Sequence, residues 1–241
     1  MRKGVMCLAV LAALAAALPS RAGLFDEFIQ GIGGGARKGE PDTAQIVSGL
    51  KEALSIGTGK AVATVSKTDG YFGNPSIKIL LPENLRKAGD VLGKIGYQHE
   101  VDDFVVRMNR AAEKAAPRAK PIFVDALKAM TFEDARKILG GGDTAATEYF
   151  QAKTRDRLYE EFKPVVSSSM DEVGTVRSYK AMTSRYSSLP FVRAESLDLD
   201  HYVTDKALEG IFYMVAQEEK KIRTDPAARV TDLLKAVFGR K

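Results

Sequence analysis

The sequence predicts an all-α protein, and three observations support this fold class. After residue 42, apolar residues recur at three- and four-residue spacings, the period of one helix face. β-branched residues are scattered instead of clustered into strands, and turn-forming residues fall between the periodic stretches. We therefore predict one helical domain over residues 42–241, a bundle of roughly eight helices with one short extended segment near residues 76–81.

The first 22 residues have the layout of a cleaved signal peptide. Arg2 and Lys3 precede an unbroken apolar run over residues 5–18, and Ser20 and Ala22 place small residues before the predicted cleavage point. The run is too short for a comfortable membrane span, although an uncleaved N-terminal anchor is the alternative. We expect a periplasmic or secreted bacterial protein with no transmembrane segment after cleavage.

Removal of this segment would change the bulk properties of the chain. The formal net charge of +5 would fall to +2, because Arg2, Lys3 and Arg21 would be lost without any acidic residue. A charge this small does not favour nucleic-acid binding. Cys7 is the only cysteine, so the mature chain would form no disulfide and no cysteine-ligated metal site. The glycine-rich residues 23–41 are predicted to be flexible.

The first helices are predicted from capping residues and apolar stripes. Asp42 and Gln45 form a capping box. The inward residues of the first helix are Ile46, Leu50, Ala53, Leu54, Ala61, Val62 and Val65. A turn over residues 69–75 follows, and residues 76–81 then alternate, with Ile77, Ile79 and Leu81 on one side. Pro82 opens a helix whose inward residues are Leu85, Ala88, Leu92 and Ile95.

The remaining helices follow in the same way. A helix from Gln98 carries an apolar stripe and must kink or break at Pro117 and Pro121. Its inward residues are Val101, Phe104, Val105, Met108, Ala112 and Ala115. Thr131 with Asp134 caps a short helix, and Asp143 or Thr144 caps a long one. Two further helices follow, containing residues 176–186 and 202–215, and Asp225-Pro226 begins the last.

Several stretches together resemble a family of exported bacterial proteins known only as a domain of unknown function. They are residues 70–77 with Leu81-Pro82, residues 108–117, 145–150 and 203–210, and the start of the last helix at residues 225–229. The resemblance covers about residues 45 to 239. It implies export and a helical domain, but it implies no reaction and supplies no catalytic residue.

The polar positions of the third helix are the first candidate site. Asn109 and Glu113 are four residues apart, as are Arg110 and Lys114, so each pair shares one helix face. These four residues would line a polar pocket or form an internal ion-pair network. The alternative is a solvated face with ordinary ion pairs of about 0.2–0.5 kcal/mol each.

The turn over residues 69–75 is the second candidate site. Tyr71, Phe72 and Asn74 would contact a ligand, because loops held by a rigid scaffold often carry recognition. In the alternative interpretation, the aromatic rings pack over the core and Asn74-Pro75 fixes the backbone.

No motif in the sequence predicts a cofactor, a metal ion or a catalytic residue. Asp198, Asp200, His201 and Asp205 include oxygen ligands at close spacing, but they lack the other positions of a calcium loop. More simply, Asp198 or Asp200 caps the following helix. We therefore expect non-catalytic binding of a small apolar or amphiphilic ligand, or of a protein partner, in the cell envelope. The alternatives are a carboxylate-dependent hydrolase acting on envelope material and a purely structural or assembly protein.

Overall fold

The computed structural model of the protein describes residues 43–172, residue 184 and residues 198–225. All of them belong to one compact unit of the chain, residues 41–241. The predicted signal peptide, the glycine-rich segment, the helix predicted over residues 176–186 and the helix predicted from Pro226 lie outside the described residues.

The described residues are helical, with no strand among them, so the all-α prediction is confirmed. Seven α-helices are seen in this part of the chain: α1 (Thr43–Val65), α2 (Glu83–Leu92), α3 (Gln98–Ala115), α4 (Ala119–Ala129), α5 (Phe132–Gly140), α6 (Ala145–Met170) and α7 (Leu199–Thr224). A π-helical turn, Gly93–Tyr97, joins α2 to α3, and a 3₁₀ turn, Ala116–Arg118, joins α3 to α4. None of these described helices is both long and apolar enough to cross a bilayer.

The core lies where α1, α3, α4, α6 and α7 meet. The rings of Phe123 and Phe150 pack edge to face with their centroids 5.2 Å apart, and Phe212 packs on Phe123 at 6.1 Å. These three rings come from α4, α6 and α7, so they join three helices at one point. All seven residues predicted to line the inner face of α1 are buried, as the apolar period requires.

Residues 66–82, the connecting loop, link α1 to α2. Within this loop Ile77, Ile79 and Leu81 are buried and Leu80 is 54% exposed, so the predicted alternation is confirmed. Residues 75–77 form a turn, so the predicted extended segment is shorter than expected, and residues 78–82 pair with no strand among the described residues. Their backbone polar groups find side-chain partners instead, Asn109 of α3 for Ile79 and the Tyr202 hydroxyl of α7 for the Leu80 carbonyl.

Two local predictions meet different outcomes at the ends of the helices. The break at Pro117 is confirmed, because α3 ends at a 3₁₀ turn there. Ile95, predicted to face inward, is 52% exposed, which corrects that prediction. The reason is that the π-helical turn and the positive φ of Gly96 (94°) interrupt the helical period between α2 and α3.

Both predicted side-chain caps at Thr131 and Asp198 are confirmed. Thr131 and Asp134 form a reciprocal capping box at the start of α5, and Asp198 accepts a hydrogen bond from the backbone amide of His201 at the start of α7. The two hydrogen bonds from Thr131 lower the pKa of Asp134, because they favour its charged form.

Candidate functional site

The carboxylate of Glu113 holds the connecting loop against α3. Its side chain is only 5% exposed, and Oε1 accepts hydrogen bonds from the backbone amides of Tyr71 at 3.1 Å and Phe72 at 3.3 Å. Oε2 accepts a bond of 2.6 Å from Arg110 Nη1, and Nη2 of the same guanidinium donates to Asp69 Oδ1 at 2.6 Å. Of the interpretations of this helix face, the internal ion-pair network describes these contacts.

Tyr71 is a fully buried side chain of the connecting loop, with a polar end that reaches α7. Its hydroxyl donates a hydrogen bond of 2.7 Å to the carbonyl oxygen of Ala207. Burial raises the pKa of the phenol, and the negative charge of Glu113 raises it further. A Cβ added at Gly210 would lie 2.5 Å from Cε1 of the ring, so α7 can approach the tyrosine only because that position has no side chain.

Asn109 provides hydrogen-bond partners for the extended part of the loop. Its Oδ1 accepts from the Ile79 amide at 2.9 Å, and its Nδ2 donates to the Ile79 carbonyl at 2.8 Å. A further bond of 2.8 Å from Nδ2 to the carbonyl of Val105 holds the amide group on its own helix. One buried side chain thus makes the two bonds that a neighbouring strand would otherwise make.

Phe72 and Asn74 lie at the edge of this arrangement and are partly exposed. The ammonium of Lys78 lies 3.9 Å from the centroid of the Phe72 ring, a cation–π contact. Asn74 Oδ1 accepts from the Ser76 amide at 3.1 Å and fixes the turn, while Nδ2 lies 3.5 Å from the sulfur of Met214. Both residues contribute to the shape of the loop and leave part of their surface to solvent.

Lys114, the remaining predicted residue, lines a surface cleft of about 470 Å³ between the end of α3 and the C-terminal half of α6. Its apolar lining residues are Pro164 and Val165. Its polar lining residues are Lys114, Arg118, Glu161, Ser168, Ser169 and Glu172. Lys114 forms an exposed ion pair with Glu172. The structure therefore separates Lys114 from the six other predicted residues, which belong to the connecting loop and its contacts.

A second buried carboxylate, Glu219 on α7, was not predicted. It accepts hydrogen bonds from the backbone amides of Ala146 at 2.9 Å and Thr147 at 2.8 Å, and from the Thr147 hydroxyl at 2.8 Å. These are the first amides of α6, so Glu219 caps that helix from another helix. Thr144 occupies the N-cap position of α6, as predicted, but its side chain makes no capping hydrogen bond. The prediction that this side chain caps the helix was therefore wrong.

Arg223 completes this second cluster. Its guanidinium pairs with Glu219 at 2.8 Å and donates a bond of 2.8 Å to the carbonyl of Ile138, near the end of α5. The pair thus connects the end of α5 to the start of α6 through one turn of α7. The sequence contains a signal for it, since position 219 continues the inward stripe of Ile211 and Val215.

The acidic residues near the start of α7 do not come together as metal ligands. Among the described residues no group of three or more His, Cys, Asp or Glu side chains is placed to hold a metal ion. Asp198 caps α7, and Asp200 Oδ2 accepts a bond of 2.6 Å from the Ser167 hydroxyl. These carboxylates therefore have local structural partners.

The fold and these contacts define a class: an all-α protein in which buried carboxylates of two helices bind backbone amides of neighbouring segments. A family model described as a protein of unknown function (DUF4197) matches residues 40–239. The chain belongs to this family, and the predicted resemblance to an uncharacterised family is confirmed. Searches of curated proteins and of solved structures found no match.

Proposed function

We propose that the protein is an exported binding protein whose small amphiphilic ligand occupies the cleft between α3 and α6. The observation that carries this proposal is the composition of the cleft. Pro164 and Val165 are its apolar lining residues, and lysine, arginine and glutamate side chains line it as well. An amphiphile with a charged head group matches such a surface, because its apolar part contacts the apolar residues and its head group pairs with a charged side chain.

Arg118 is the side chain in the cleft that best fits a ligand anion. It is exposed, and within the described residues it makes no hydrogen bond or ion pair. By contrast, Lys114 on the same wall already pairs with Glu172. A guanidinium offers several donors in a planar fork that suits carboxylate and phosphate groups, so an anionic head group gains most at this position.

The carboxylates of the cleft favour binding over glycoside hydrolysis. Glu161 lies on α6 and Glu172 lies beyond its end, and Glu172 is paired with Lys114. A two-carboxylate hydrolase would need one of its carboxyl groups free to act as a proton donor. The ion pair with Lys114 favours the charged form of Glu172 instead.

Native mass spectrometry of protein purified from the exporting cell, without refolding, tests the ligand site. We expect an adduct of reproducible mass that is released on denaturation. The variant Arg118→Glu should lose it, and the control Lys120→Glu should retain it, because Lys120 makes the same charge change outside the lining of the cleft. An adduct retained by Arg118→Glu would place the ligand elsewhere, and protein free of any adduct would argue against a small-ligand carrier.

Export has its own test. The layout of residues 1–22 supports a signal peptide, and cleavage after Ala22 would leave a chain that begins at Gly23. N-terminal sequencing of protein from the periplasmic fraction should begin at Gly23. A chain that retains residues 1–22 and sediments with the membrane would support the anchored alternative.

A further inference from the structure

A hydrogen bond and an ion-pair contact link a tyrosine, a histidine and an aspartate on the surface where α6 meets the start of α7. Tyr159 Oη lies 2.7 Å from His201 Nδ1, and His201 Nε2 lies 3.2 Å from Asp205 Oδ2. The rings of Tyr159 and His201 meet edge to face, 5.7 Å apart. None of the three residues lines the cleft between α3 and α6.

The general-base arrangement uses the neutral imidazole. With its single N–H on Nε2, on the side of the Asp205 carboxylate, the imidazole accepts the hydrogen bond of the Tyr159 hydroxyl at Nδ1. Arg155 Nη2 donates to the other oxygen of Asp205 at 3.1 Å and fixes the orientation of that carboxylate. The order hydroxyl, imidazole, carboxylate is the arrangement by which proteins turn a weakly nucleophilic hydroxyl into a reactive one.

The tyrosine hydroxyl lies at an exposed contact. Tyr159 is half-buried, with its ring against the core, while the side chain of His201 is 56% exposed and their hydrogen bond lies at the surface. The ammonium of Lys163 lies 5.7 Å from the centroid of the Tyr159 ring. Its positive charge favours the negative charge that develops on the phenol oxygen as the proton leaves.

We propose that Tyr159 is an acyl-acceptor site for small activated acyl groups, such as those carried by thioesters or aryl esters. The phenol oxygen forms a bond to the carbonyl carbon, and the bond from that carbon to the leaving thiolate or phenolate breaks. The phenol proton passes to His201 Nδ1 and from there to the leaving group. The product is an acyl-tyrosine, His201 acts as general base, and Asp205 is a positioning residue.

The test uses p-nitrophenyl acetate with the intact protein, acid quenching and peptide mass mapping. We expect acetyl groups to accumulate on Tyr159 at least tenfold faster than on Tyr213. Tyr213 is the matched control, since it is 41% exposed and hydrogen-bonds to no histidine among the described residues. His201→Gln should slow acetylation of Tyr159 at least tenfold and leave that of Tyr213 unchanged, and Tyr159→Phe should remove the modified peptide.

The pH profile separates a general base from a merely exposed phenol. With a histidine base the rate should reach a plateau once the imidazole is neutral, and His201→Gln should abolish that plateau. A phenol acting alone would show no such plateau, because its rate follows its own ionisation. Asp205→Asn should lower the plateau, because the imidazolium formed during transfer loses its carboxylate partner.

Two results would overturn the proposal. One is equal acetylation of Tyr159 and Tyr213 in the unmodified protein. The other is a rate at Tyr159 that rises without levelling off through pH 9. Both are measured on the natural sequence, so they decide the question even where a variant fails to fold. Neither depends on the ligand adduct in the cleft, so this proposal and the binding proposal stand or fall separately.

Discussion

Replacing Tyr71 with phenylalanine should make the stability of the protein less sensitive to alkaline pH. The substitution keeps the buried ring against Gly210 and removes only the hydroxyl, which donates to the Ala207 carbonyl. At neutral pH the variant should lose about 0.5–1.5 kcal/mol, the usual net contribution of one hydrogen bond. The loss is small because the Ala207 carbonyl lies within α7 and keeps its helical partner.

Alkaline pH should reverse this order. In the unfolded chain a tyrosine ionises near pH 10, whereas burial and the charge of Glu113 raise the pKa of Tyr71 in the folded protein well above that value. Above about pH 10 the unfolded state therefore binds fewer protons than the folded state, and stability falls as pH rises. At pH 11 this effect costs the natural protein about 1.4 kcal/mol, near the upper end of the value of the lost hydrogen bond. The two stabilities should therefore cross between about pH 10 and 11.

Urea unfolding of both proteins at 25 °C, at pH 7, 9, 10, 10.5 and 11, measures this difference directly. Burial also raises the pKa values of Tyr149 and Tyr202, but these residues are present in both proteins and cancel in the comparison. A difference in unfolding free energy that stays constant from pH 7 to pH 11 would refute the reasoning. It would mean that the Tyr71 hydroxyl is not buried against α7 in solution.

Three further substitutions test other parts of the packing, each by urea unfolding at pH 7. Glu219→Ala should destabilise the protein by about 2–4 kcal/mol, because it leaves two buried amides near the start of α6 without their acceptor and removes the ion pair with Arg223. A loss below 1 kcal/mol would contradict the capping role. Gly210→Ala should cost about 1–3 kcal/mol through overlap with the Tyr71 ring. The control Gly59→Ala, with open space around its Cβ inside α1, should gain up to about 1 kcal/mol. Thr204→Val should stabilise the protein by about 1 kcal/mol, since the Thr204 hydroxyl is fully buried and has no hydrogen-bond partner among the described residues. Destabilisation would reveal a partner for it.

The sequence carries enough information for the helices and for the sides they bury. The stripe of α1 and the alternation after residue 76 both follow from the period of apolar residues, which depends only on local geometry. The placement of Asn109 and Glu113 on one face was likewise predictable, because residues four apart share a helix face. What this face contacts was not predictable, since its partners in the connecting loop are 30 to 42 residues away in sequence.

The backbone partners of Glu219 could not be predicted from the sequence. A threonine next to the start of α6 satisfied every local rule for a cap, yet the capping carboxylate comes from 72 residues further along the chain. A charged residue on an inward stripe was the available signal, because carboxylates are rarely buried without a partner. Periodicity alone could mark Glu219 as buried, but it could not say which backbone amides it binds.

The two buried carboxylates both provide acceptors for backbone amides of another segment. Glu113 and Glu219 each bind two consecutive backbone amides of another segment and pair with an arginine one turn away on their own helix. Each arginine then reaches a third group, Asp69 for Arg110 and the Ile138 carbonyl for Arg223.

Buried ion pairs can often be replaced by apolar residues without loss of stability, because the desolvation of the charges offsets their attraction. That exchange would fail for Glu113 and Glu219, since an apolar side chain would leave backbone amides buried without an acceptor, at about 1–3 kcal/mol for each amide. These carboxylates therefore act mainly as acceptors for backbone that no regular structure satisfies. The chain has no cysteine after residue 7 that could fasten these segments by a disulfide. The position of the connecting loop and the start of α6 thus depend on two glutamates whose charge is retained because the backbone requires it.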